Sequence, residues 1–231
     1  MQKCNRRKYS LQEIFEKYKK CGILSPCEKI VCILTKGEPT YMEDKKELTK
    51  NLLTASFKEL VLQVPFEKIT IKMITDGAGV IRPTFYKHFQ DKYEVLEWIL
   101  QTEIKSKIQV LIDNNMQEDI FRLLCNCLEK DRAFYRKAYE IKGQNSFEDI
   151  MSDYLYTLFL QLLSKYPLKS PDKLAFLTKE AIARFYTFGL ADSLKYWISQ
   201  DALIPAKDIN AAYSYIIRNS ILDILDYPQK K

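Results

Sequence analysis

Between residues 82 and 88 the chain places Arg82, Thr84, Tyr86, Lys87 and His88, five hydrogen-bonding side chains around one apolar residue, Phe85. A set like this suits recognition better than bond-making. A guanidinium takes guanine bidentately, and a threonine reaches a base edge or a thymine methyl. Tyr86, Lys87 and His88 offer donors to phosphate oxygens, contacts that fix register and orientation without reading sequence. Lys92 follows close behind, beside the same surface. Plainer roles remain open: Arg82 and Lys87 as solvated cations, His88 as a structural cap. His88 is the single histidine, and as a general base it would need an orienting carboxylate and a nucleophile, which no pattern here supplies. Without a Gly-rich phosphate loop, a ligand cluster or a nucleophile motif, no enzyme is expected.

The elements that must hold these residues are legible around them. Leu48, Leu52, Ala55, Leu60 and Val61 predict a helix over 44–63, ended by Pro65. Thr70 is a good N-cap for a short helix with Ile71, Ile74 and Ala78 on one side. Gly79 stops it where a left-handed residue is cheap. A second short helix is predicted over 82–89, with Pro83 tolerated in its first turn. Val80 and Phe85 plug the angle between the two, which makes a helix-turn-helix. The second helix then suits a major groove about 12 Å wide. Asp91 caps a long helix through Tyr93, Leu96, Ile99, Leu100, Ile104 and Ile108. Further helices are predicted at 116–129, 131–142, 146–165, 173–199 and 207–226.

Six Gly and eight Pro in 231 residues leave few tight turns, so the expected fold is all-α. A hydrophobic fraction of 47% excludes a disordered chain. No apolar run of 18 residues appears, so no membrane span is expected. Charged residues interrupt any export signal, which predicts a cytoplasmic protein. Cys4, Cys21, Cys27, Cys32, Cys125 and Cys127 then read as reduced thiols, and their spacing gives no zinc site. The net charge of +6 lies almost wholly in the first 41 residues, where nine Lys/Arg stand against four acids. Short amphipathic helices near 10–18 and 26–34 are expected there. Met42 follows, so this segment is either a basic extension or an upstream start with Met42 the working initiator.

The stretch 48–99 resembles the DNA-binding domain of the TetR/AcrR family, in Ile69-Thr70, Ala78-Gly79-Val80, Thr84-Phe85-Tyr86-x-His88-Phe89 and Asp91-Lys92. The resemblance implies a three-helix helix-turn-helix domain over 42–92 and a helical sensing and dimerisation domain over 93–231. It implies phosphate contacts at Thr70, Tyr86, His88 and Lys92, and a base-proximal face at Arg82, Pro83 and Thr84; Lys72 and Lys87 join the expected DNA-contact set. Two features depart from the pattern. Ile81 stands where the family has a capping Ser, Thr or Asn, and Asp76-Gly77 is unusual in the first short helix. Arg132-Ala-Phe-Tyr135 and Gly143-Gln-Asn-Ser-Phe147 are similar to the branch that regulates dihydroxyacetone kinase operons.

The implied partners are a near-palindromic duplex operator, a second copy of the chain, and a small-molecule effector or protein co-regulator; no cofactor is implied. Tyr135, Tyr139, Phe159, Tyr186 and Trp197 are candidates for an effector pocket or for plain core. Phe185, Phe188, Gly189, Tyr215, Ile216 and Leu222 are candidates for the dimer face or, again, core. Repression is the default expectation. The alternatives are an activator working with a co-regulator, or a helical adaptor that no longer binds DNA.

Overall fold

Capping side chains set where several helices begin. Thr70 accepts the Met73 amide at 3.3 Å, and Asp91 accepts those of Tyr93 and Glu94 at 2.8 and 2.9 Å. Ser146 accepts the Asp149 amide at 3.2 Å, and Thr178 that of Ala181 at 3.1 Å. Each satisfies a donor that has no partner within its own helix. The computed structural model describes residues 41–143, 145–168, 174, 176–201 and 204–224. Among them the order is α1 (Tyr41–Gln63), α2 (Ile71–Gly77), α3 (Arg82–Tyr86), α4 (Lys92–Leu100), a π turn (Gln101–Lys105) and α5 (Ser106–Asp113). There follow α6 (Ile120–Lys130), α7 (Arg132–Glu140), α8 (Phe147–Ser164), α9 (Lys179–Ser199), α10 (Ala206–Arg218) and α11 (Ile221–Ile224). The fold is all-α, with no strand among the described residues.

One buried cluster runs through these helices. It takes Leu53, Phe57 and Val61 from α1, Ile74 and Phe85 from α2 and α3, and Leu96, Ile99 and Leu100 from α4. It continues through Ile104, Ile108 and Leu124 to Phe134, Leu155 and Trp197. Phe147 stands edge-on to Tyr139 at 4.9 Å, and the Trp197 indole donates to the Ile204 carbonyl at 2.8 Å. α8 and α9 pack along each other, and α10 lies on α6, with Tyr213 4.4 Å from Phe121.

The structure departs from the sequence expectation in four places. The long helix from Asp91 is interrupted by the π turn, where the Ser106 amide bonds back five residues to Gln101. There Thr102 donates to the Trp98 carbonyl at 2.8 Å and Ser106 to the Thr102 carbonyl at 2.9 Å, so side-chain hydroxyls serve a disturbed ladder. The second short helix ends at Tyr86, and the chain leaves it through Phe89, whose amide still reaches the Phe85 carbonyl at 2.9 Å. The helix expected over 173–199 begins at Lys179, behind the Thr178 cap. The helix expected over 207–226 breaks at Asn219, and Ser220 and Asp223 cap each other's amides at 3.2 and 2.9 Å to start α11. The helices expected near 10–18 and 26–34, and residues 225–226, lie outside the described residues.

A charged cluster ties α1 to the helices that follow. The Lys58 ammonium pairs with Glu103 at 2.7 Å and with Asp131, and it lies 4.7 Å over the Phe134 ring. Tyr135 donates to the second Glu103 oxygen at 2.8 Å, and burial together with Glu103 pushes its phenol pKa well up. Glu103 sits on the π turn, so one lysine joins α1, that turn and the start of α7.

Candidate nucleic-acid interface

The turn between α2 and α3 is built by backbone hydrogen bonds. The Val80 amide reaches the Thr75 carbonyl at 3.0 Å and the Gly79 amide reaches Asp76 at 3.2 Å, a paired closure that needs a left-handed residue between them. Gly79 supplies it, with φ of 66°. Gly77, atypical in the sequence, has a steric reason. A Cβ there would stand 2.3 Å from the Ser56 hydroxyl, which is buried and donates to the Ile74 carbonyl at 2.8 Å. Only glycine lets α2 approach α1 this closely. Gly77→Ala is expected to lower stability by about 1–3 kcal/mol through overpacking. Denaturant unfolding will read this, and Ser56→Ala in the same chain should recover part of the loss.

On this support α3 turns Phe85 inward, fully buried, and leaves Arg82, Pro83, Tyr86 and Lys87 exposed and Thr84 partly so. Pro83 occupies the first turn, and Ile81 makes no capping bond. The Arg82 guanidinium donates to the Tyr86 hydroxyl at 3.1 Å and lies 5.6 Å from its ring centre, which holds the arginine extended along the helix. Thr70 and Lys72 are exposed at the start of α2.

Lys92 is placed differently from the others. Its ammonium donates to the carbonyls of Phe66 and Ile69 at 2.6 and 3.2 Å and lies 4.2 Å over the Phe66 ring. It thus clamps the link between α1 and α2 to the start of α4. Burial is the main cause lowering its pKa.

His88 is half-buried, and its Nδ1 has no hydrogen-bond partner. Burial first, then Lys50, Lys46 and Lys87, pull its pKa below the ordinary histidine value, so the ring is neutral at pH 7. Those lysines show what the sequence reading missed. Lys46 and Lys50 belong to α1, yet the fold brings them to the same side as His88. The Lys50 ammonium sits 3.6 Å over the Trp98 ring and 5.3 Å from Phe89. Neither lysine lies in the helix-turn-helix segment, so only the packing of α1 reveals them. The exposure of Ile81 was not foreseen either. This residue is 70% exposed at the leading end of α3, where an apolar side chain can meet a thymine methyl.

Of the aromatic pocket candidates, Tyr135 and Trp197 are packed in the core and Tyr139 is 4% exposed. Phe159 and Tyr186 stack on each other at 5.8 Å. An open groove of about 960 Å³ runs between α4–α5 and α8 instead, lined by Glu94, Glu97, Gln101, Lys105 and Asp153 among others, and none of the five aromatics lines it. Of the dimer candidates, Phe185, Phe188, Tyr215 and Ile216 are 75%, 69%, 53% and 57% exposed, so they are not core of this chain. Gly189 is open, with nothing within 4 Å of a Cβ built there. The Leu222 side chain lies outside the described residues. Cys125 is buried, with its thiol pushed up to about 12 chiefly by burial, so it stays protonated. No helix among the described residues is long and apolar enough to cross a membrane.

Comparison with known proteins agrees with this geometry. Residues 53–99 match the family model described as bacterial regulatory proteins, tetR family, and residues 115–219 match one described as a transcriptional regulator C-terminal region. The chain is 24% identical over 173 residues to the HTH-type dhaKLM operon transcriptional activator DhaS of Lactococcus lactis subsp. lactis, covering 75% of this chain and 89% of that one. The solved dihydroxyacetone kinase operon activator DhaS superposes with a TM-score of 0.51 at 22% identity, over 74% of this chain and 92% of its own. Native NalD, the secondary repressor of the MexAB-OprM multidrug efflux pump in Pseudomonas aeruginosa, superposes with a TM-score of 0.53 at 19% identity, over 75% and 96%.

Proposed function

The chain belongs to the TetR family of bacterial regulatory proteins and is a DNA-binding transcriptional regulator, and from that premise we propose that it works as a homodimer on a near-palindromic operator. Residues 42–92 form the reader and 93–231 the sensing and dimerising part, with residues 1–41 either a basic extension or a segment upstream of a start at Met42. The observation that carries this reading is the exposed Arg82–Tyr86 surface of α3, mounted on a turn closed by Gly79 and a fully buried Phe85. Arg82, Pro83 and Thr84 face base edges. Tyr86, Lys87 and His88, with Thr70 and Lys72, meet phosphates. Lys92 stiffens the reader through its two carbonyl bonds and brings its charge close to the same backbone. The exposed apolar face of α9 and α10, with Phe185, Phe188, Gly189, Tyr215 and Ile216, pairs with its copy and spaces the two readers about one helical turn of DNA apart.

Affinity for the operator answers to a signal at the helices after the π turn, which shifts the population competent for DNA. Repression follows when the operator overlaps a promoter. The DhaS relative is described as an activator, which favours a second reading, activation together with a protein co-regulator. The site of action is the bacterial cytoplasm.

The test is binding of the purified chain to DNA upstream of its own gene and neighbouring genes, across a salt series, beside Arg82→Ala/Tyr86→Ala. Specific binding should weaken steeply as salt rises. The variant should lose about tenfold or more in affinity while keeping its thermal melting point. If no genomic fragment binds above the non-specific level, the reader assignment fails and an adaptor role replaces it.

A further inference from the structure

A second polar site lies far along the chain from the reader. Arg136, Tyr139 and Glu140 of α7, Lys142 just beyond it, and Lys195 and Ser199 of α9 line a cleft of about 390 Å³. Three cations and one carboxylate line it, and Glu140 is held by Lys137 at 2.8 Å; with the carboxylates that pair Arg136 and Lys195 counted, the cations exceed the acids by one. Tyr139 is 4% exposed, and its hydroxyl is shut from water with no hydrogen-bond partner. Leaving such a donor unmade is costly unless something arrives to accept it. Burial, with Glu148 adding to it, keeps the phenol protonated, hence a donor.

The cations are held loosely. Arg136 pairs with Asp201, which is 91% exposed, at 2.8 Å, and Lys195 pairs with Glu148 at 2.7 Å. The first of these, being exposed, exchanges partners at little cost, and a guanidinium keeps donors to spare; the second is half-buried. The Ser199 hydroxyl, now bonded to the Lys195 carbonyl at 2.8 Å, can turn to a ligand. A doubly charged group with several acceptor oxygens matches this set better than a single carboxylate does.

We infer that this cleft binds a small phosphate dianion, free or as the monoester of a short metabolite, and that this ligand is the signal the regulatory helices read. The second half of the inference rests on the regulator reading above. The cleft is coupled to the reader through α7: Arg136 and Tyr139 lie on it, and Asp131, immediately before it, holds Lys58 of α1. A ligand drawing α7 towards α9 therefore acts on a helix whose start is tied to the reader.

The test titrates the full chain with inorganic phosphate and, separately, methyl phosphate, with chloride matching the ionic strength. Heat of binding and melting temperature are followed first without DNA. Saturable binding is expected, at least tenfold weaker in Arg136→Ala/Lys195→Ala and in Tyr139→Phe, and tighter in Glu140→Gln. Tyr139→Phe keeps the ring against Phe147 and should melt no lower than the parent, which separates loss of a ligand from loss of fold. Stronger binding of methyl phosphate than of phosphate identifies an ester as the ligand; the reverse order identifies the free ion. Absence of saturable binding, or binding unchanged in both variants, overturns the site. Operator affinity is then measured with and without the bound dianion, and an unchanged value overturns the signalling role. If no operator is found at all, the regulator reading has failed, and the binding result stands separately.

Discussion

Phe85→Ala is expected to lower folding stability by about 3–5 kcal/mol, the range for truncating a large buried aromatic. Phe85 is fully buried and meets Phe89 at 5.8 Å and Tyr86 at 5.6 Å. α3 spans five residues, Arg82–Tyr86. A helix that short has no stability of its own, and this one also lacks a side-chain cap. Its position is therefore held by Phe85 and by the Gly79 turn. Denaturant unfolding should show the full loss. Specific operator binding should vanish even at temperatures where the helices of 120–218 remain folded. A loss below about 1 kcal/mol would mean that α3 is held by something other than this side chain.

Phe188→Asp/Ile216→Asp is expected to act in the opposite way, leaving the fold intact and removing the dimer. Both residues are more than half exposed in the single chain, so a carboxylate on each is solvated before association and must be desolvated on it. The variant should sediment as a monomer at concentrations where the parent is a dimer, with an unchanged circular dichroism spectrum. Operator affinity should fall by about 10²- to 10⁴-fold, since each reader loses the effective concentration its partner supplied. A variant that remains dimeric would move the interface off α9 and α10.

Most of the reader was legible because its constraints are local. Thr70, Gly79, Val80, Phe85 and Asp91 each do a job defined by neighbours within a few residues, and the structure gives each of them a place that such a job requires. Gly77 was noticed but not understood, because its reason is Ser56, on a different helix. Lys46 and Lys50 were missed for the same reason: their nearness to His88 exists only after α1 packs. Lys92 was read as a phosphate contact; its two carbonyl partners, 23 and 26 residues earlier in the chain, add a packing role that no local pattern shows. The break before α11 had a local signal, Ser220-x-x-Asp223, which the run of apolar residues around it concealed. In the regulatory helices the aromatics could be core or pocket, because periodicity shows which residues share a face and not what that face meets.

The π turn also had a trace in the sequence. Leu100, Ile104, Ile108 and Ile112 are spaced by four throughout, whereas a regular helix needs threes mixed with fours to keep one stripe on one side. All four are buried, Ile112 to 4% exposure and the others completely. The wider turn absorbs the surplus residue and keeps the stripe in phase. Winding residues 101–105 as a regular helix with none removed would swing everything beyond them by about 100° around the helix axis, the angle that one residue subtends. That makes the turn a gear setting between the two halves of the molecule. A chimaera that grafts this reader onto another regulator's sensing helices must inherit the same offset, or its two reading heads will face the wrong way around the duplex.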